Sequence, residues 1–129
     1  MKSKLATLFR LLLGSIFLGA GFNGYWVWLG YEPIFPTSPI AEEFLGTGYF
    51  LVIEKMAEVV LGILLIVGRF VPLALVAAFP LIVNILAFHI FADPELLPLA
   101  LLLCVMEIYL LWVYKNSLKG LLQAKAPMD

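Results

Sequence analysis

Between Leu5 and Tyr114 the chain consists almost entirely of four apolar stretches, 5–28, 47–67, 71–91 and 95–114. Each is close to the ~20 residues that a helix needs to cross the hydrocarbon core of a bilayer. Composition agrees. Of the 129 residues, 64% are hydrophobic and 13% charged, with a mean hydropathy of +1.06, against about 45–50% apolar and 25% charged in ordinary soluble domains. Too little polar surface is available to keep such a fold dispersed in water. The expected architecture is therefore all-α, an integral membrane four-helix bundle forming a single domain over 1–129.

The breaks between stretches carry their own signals. Gly68-Arg69 with Pro72 close behind makes a tight turn, and Asp93-Pro94-Glu95 reads as an N-cap, a first-turn proline and a first-turn acid. In the 30–48 connection, Ser38-Pro39 starts a short interfacial helix over about 39–46. The Lys2-Ser3-Lys4 start and the small residues Gly19-Ala20-Gly21 would suit a cleaved leader. Arg10 splits that apolar run, however, and the segment continues to full membrane length, so it reads as a retained span.

Basic residues orient the bundle. Seven of the eight, Lys2, Lys4, Arg10, Arg69, Lys115, Lys119 and Lys125, lie at the ends of the chain or in the second turn. The other two connections carry Glu32, Glu42, Glu43, Asp93 and Glu95 and no basic residue. The positive-inside rule then places both termini in the cytoplasm and the 29–46 connection outside. Tyr25, Trp26, Trp28 and Tyr31 form an outer aromatic belt, and Trp112 and Tyr114 an inner one. The expected location is a bacterial-type inner membrane, multi-pass.

The eighth basic residue, Lys55, sits in "LVIEKMAEVVLG" (51–62) with Glu54 and Glu58. A charge at the centre of a membrane helix costs roughly 2.5–3.5 kcal/mol on insertion scales, so such groups face the bundle interior and usually serve a function. Glu54 lies ~10 Å below the outer end of its span, and Glu58 is a turn deeper. Asn23, Asn84 and His89 belong to the same outer layer, while Arg10 and Glu107 meet as an inner structural pair. Lys55 can neutralise only one glutamate. The other must hold a proton, bond Asn84 or His89, or meet a ligand. Asn84 and His89, about 140° apart on a regular helix, share one cavity only if Pro80 distorts the helix or the cavity is wide. Ser15, Gly19 and Asn23, spaced by four, form a face for close helix packing, within the chain or in a dimer.

The single cysteine, Cys104, excludes an intrachain disulfide, and the single histidine excludes a bis-histidine haem; no metal site is expected. A net charge of −1 offers no basic face to nucleic acid.

Gly48-Tyr49, the Glu58 stripe with Gly62, "GRFVPLAL" (68–75) and "NILAFHIF" (84–91) followed by Asp93-Pro94 together resemble the DoxX family of small four-helix membrane proteins. The resemblance runs from the glycine-rich first span to about Pro94 and more loosely beyond. It implies a plasma-membrane bundle associated with quinone, thiol and oxidative-stress systems, often beside a partner protein. Some members carry a basic residue near the outer end of the first span, where this chain has Asn23. The expectation is a redox-associated subunit that binds a quinone or similar lipophilic molecule. Glu58 and Glu54 would exchange protons, with Lys55, Asn84, His89 and Asn23 contacting the ligand. No Rossmann glycine motif is present, so a redox partner protein would supply electrons. Two alternatives are a scaffolding subunit whose charges only specify packing and a small proton-coupled transporter, which would have to form a homo-oligomer.

Overall fold

The computed structural model describes residues 2–128, and among them all regular structure is helical. The elements are α1 (Lys2–Trp28), α2 (Pro39–Leu45), α3 (Tyr49–Val67), α4 (Val71–Phe91), α5 (Leu97–Val113) and α6 (Lys115–Leu118). A 3₁₀ turn, Pro94–Leu96, precedes α5, and another, Lys119–Leu122, follows α6. Three segments, Ser3–Trp28, Val71–Phe91 and Pro94–Val113, are long and apolar enough to cross a membrane. α3 is set apart from them by Glu54, Lys55 and Glu58.

Local chemistry fixes the element ends. Ser38 caps α2 by accepting the Ala41 N–H at 3.1 Å, Pro39 occupies its first turn, and Gly46 (φ 69°) ends it. Gly68 (φ 81°) closes α3, its N–H reaching Leu64 O at 2.9 Å while Arg69 N bonds the same oxygen at 3.2 Å. Asp93 caps the turn at 94–96 by accepting the Glu95 N–H at 3.2 Å. The fourth apolar stretch therefore starts as a 3₁₀ turn rather than directly as α-helix.

Long-helix contacts run α1 to α3, α3 to α4, α4 to α5 and α5 back to α1. At the end that bears the chain termini and the 68–70 turn, Leu13, Leu65, Leu75, Met106 and Leu110 are fully buried and make a dry core. Outward positions such as Ile53, Leu73, Leu101 and Ile108 are apolar and exposed. An apolar exterior around a packed interior suits lipid, and would be an aggregation hazard in water.

α1 and α3 approach most closely at glycines. A Cβ on Gly62 would stand 2.7 Å from Gly14 O and from Leu18 N, and one on Gly14 would stand 2.9 Å from Gly62 O. Within the chain, the closest helix approach does not use Ser15, Gly19 and Asn23: Ser15 is exposed, and a Cβ on Gly19 would meet only the Phe35 ring, at 3.5 Å. Gly14 and Gly21, seven residues apart, take that role, because they oppose Gly62 and the Lys55–Val59 backbone of α3.

Candidate functional site

Above the dry core, toward the 29–48 connection, the helices line a partly open cavity of about 1000 Å³. α1, α3, α4 and α5 form its walls, and the 35–47 segment with α2 covers it. Phe17 of α1 and Leu103 of α5 are buried at its margin toward the core.

α3 supplies the charged wall. Phe50, Glu54 and Glu58 follow one another at four-residue spacing, so they share a face, and all three line the cavity. Lys55 Nζ lies 3.2 Å from Glu54 Oε2 and 3.4 Å from Glu58 Oε2. The ammonium thus contacts both carboxylates, while its single charge balances only one. Gly24 of α1 makes this possible, because the Lys55 stem runs where a side chain would otherwise stand. Only the contact to Glu58 has hydrogen-bond geometry, and Glu54 Oε2 is buried without such a bond. Two carboxylates and one ammonium leave one negative charge on this wall.

The polar residues of the other helices divide between the cavity and its cover. Asn84 lines the cavity, and its side chain has no hydrogen-bond partner among the described residues. His89 also lines it and is buried. The two share one space because the cavity is wide, while α4 stays helical through Pro80. His89 Nδ1 donates to Asp93 O at 2.8 Å, which leaves Nε2 as the ring's acceptor.

Asn23 lines the cavity too, but its amide is committed to the covering chain. Its Oδ1 accepts the N–H of Ile34 (2.8 Å) and of Phe35 (3.2 Å), and its Nδ2 donates to Phe35 O at 3.3 Å. Asn23 therefore staples the connection to α1 at the cavity wall.

A second tie holds the cover, and sequence reasoning missed it. The Ser38 hydroxyl donates to Asp93 Oδ2 while accepting the Ala41 N–H. Both residues are buried, and the Ser38 hydroxyl and Glu95 N–H hold the Asp93 carboxyl below its ordinary range. Each residue is recognisable as a helix cap from the sequence. That two caps 55 positions apart would bond each other is not.

The expected Arg10–Glu107 pair is not made. Arg10 Nη1 donates to Leu65 O and, at 3.1 Å, to Ile66 O, carbonyls of the last turn of α3. Those acceptors lack intrahelical partners and carry the negative end of the helix dipole, so a guanidinium satisfies them well. Glu107 is 1% exposed, and neither of its oxygens has a hydrogen-bond partner. Cys104 is half-buried against the core.

Chemically the site offers one carboxyl more than Lys55 can balance, an amide, an imidazole acceptor and a large apolar volume. Among the described residues, no group of three or more His, Cys, Asp or Glu side chains is placed to hold a metal ion. No protein-family model, curated protein or solved structure matches the chain.

Proposed function

We propose that the chain is a DoxX-like inner-membrane protein, a four-span bundle with both termini in the cytoplasm, that binds a quinone or similar lipophilic molecule in its covered cavity. The observation that carries the reading is the cavity itself: about 1000 Å³ of apolar space with Glu54, Lys55 and Glu58 in one wall and Asn84 and His89 in another. Lipophilic ligands favour apolar clefts in which a few polar groups fix orientation. The sequence motifs at 48–49, 58–62, 68–75 and 84–94 support the family, and the distribution of basic residues supports the orientation.

In this reading the Asn84 amide and the Lys55 ammonium donate to the ligand oxygens, while His89 Nε2 accepts from a quinol hydroxyl. Reducing a quinone to a quinol consumes two electrons and two protons. Electrons come from a partner oxidoreductase, and Glu58 and Glu54 relay two protons, taken up one after the other from the aqueous phase, to the quinone oxygens.

The test is equilibrium binding of a short-tailed benzoquinone to the full chain in lipid nanodiscs. Saturable binding that weakens about tenfold, or ~1.4 kcal/mol, in Glu58→Gln supports the reading. Absence of saturable binding overturns it. One observation favours a scaffolding role instead: Lys55 reaches both carboxylates, so the cluster is largely self-contained. Under that reading, apolar residues at 54, 55 and 58 together leave fold and partner assembly intact.

A further inference from the structure

The charge left over in the cavity wall bears on which ligands it takes. Lys55 is the one basic group in ion-pair contact with Glu54 and Glu58 among the described residues. Arg10 is committed to α3 carbonyls at the far end of that helix. The remaining titratable groups that line the cavity are His89 of α4, bonded to Asp93 O, and Glu42 of α2, itself acidic and exposed. α1 and α5 bring none. One negative charge therefore faces an apolar space, where an uncompensated ion is costly. Either a proton or a cation must neutralise it.

The opposite features of the cavity select the kind of cation. Phe44 of the cover lies 6.1 Å from Phe50 of α3 and 6.2 Å from Phe88 of α4, centroid to centroid, and all three line the cavity. Phe50 stands one helical turn from Glu54. Aromatic faces attract cations, though less strongly at exposed positions such as Phe44 (67%) and Phe50 (49%) than where water is excluded. The volume, about 1000 Å³, far exceeds an inorganic ion and matches a drug-sized molecule.

The geometry points to a second class of ligand for this cavity: a hydrophobic organic monocation, its charge against Glu54 and Glu58 among Phe44, Phe50 and Phe88, its apolar groups filling the rest. The inference rests on the reading of the cavity as a ligand site. The cation competes with the quinone, which binds when a proton neutralises the wall. Acidification accordingly weakens cation binding.

Tetraphenylphosphonium and tetraphenylborate, equal in shape and opposite in charge, test this on the full chain in nanodiscs, with empty nanodiscs as the blank. Tetraphenylphosphonium is expected to saturate at one per chain and to bind at least tenfold more weakly to Glu54→Gln. It is expected to bind more tightly to Lys55→Gln, which removes the ammonium that competes for Glu54 and Glu58, and tetraphenylborate is not expected to saturate. Saturation by both ions, or Glu54→Gln and Lys55→Gln both binding as the native chain does while folded by circular dichroism, overturns the inference. A short-tailed benzoquinone that displaces tetraphenylphosphonium upholds both this and the function proposed above. If the benzoquinone saturates and tetraphenylphosphonium does not, the cation inference alone fails. If neither saturates, both fail.

Discussion

Replacing Gly62 by alanine tests the contact that sets the position of the charged wall. The added Cβ would stand 2.7 Å from Gly14 O and from Leu18 N, 0.7 Å short of the 3.4 Å at which ordinary contact begins. Both obstacles are α1 backbone, so no rotamer change relieves them, and α1 and α3 must separate. Overpacking of this kind costs about 1–3 kcal/mol, and alanine's better helix propensity returns at most ~1 kcal/mol. With that return in full, a net loss of up to about 2 kcal/mol follows, or a fall of up to several degrees in Tm for a chain of this size. The assay is thermal unfolding in one fixed detergent, with Gly120→Ala as control, since a Cβ there meets nothing within 4 Å. Gly14→Ala strains the same interface from the other side, where the Cβ would be 2.9 Å from Gly62 O, so the double variant falls short of the sum. Glu58 is one turn from Gly62, so ligand binding should weaken along with stability. A Gly62→Ala chain at least as stable as the native one would refute the reasoning.

Other positions give independent checks. Glu107→Met replaces a buried carboxyl that has no hydrogen-bond partner; relief of a penalty of about 1–3 kcal/mol should raise the melting temperature, and a fall would reveal a contact the carboxyl needs. Arg10→Met removes the donor to Leu65 O and Ile66 O; a loss of roughly 1.5–3 kcal/mol is expected by the same assay, with Arg10→Lys in between because an ammonium lacks the guanidinium fork. The Asp93 carboxyl is held below its ordinary range, first by Ser38, so folding favours its ionised form. Its tie to the cover is complete above the usual aspartate value of about 3.9 and is lost as pH falls through the lowered one. Hydrogen exchange in α2, corrected for intrinsic rates, should accelerate over that acidic range in the native chain and be fast at every pH in Asp93→Asn. Equal protection in both chains would discount the tie.

The existence, ends and chemistry of the helices were decided close to the residue. The four apolar stretches appear as the helices α1, α3, α4 and α5, and three of the segments, without α3, are long and apolar enough to cross a membrane; Ser38, Gly68 and Asp93 cap or end elements where their local chemistry requires it. Confinement of Glu54, Lys55 and Glu58 to one arc of α3 follows from helical periodicity, and with it a polar wall facing inward.

Pairing across the fold was decided only by tertiary structure. Arg10 had two kinds of negative partner within reach, a carboxylate and the carbonyl end of a helix, and sequence distance does not rank them. Packing of Gly14 against Gly62 brought Arg10 to the end of α3 and left Glu107 alone. Asn23 offered its amide to any ligand, yet the covering chain came first, because unpaired backbone N–H groups at Ile34 and Phe35 are costly. The triplet in "LVIEKMAEVVLG" likewise had a known charge from the start, but Lys55 could be shared between two glutamates only because Gly24 leaves its stem a path. Composition and period determine what each helix is; which partner meets which group depends on how the helices close around one another.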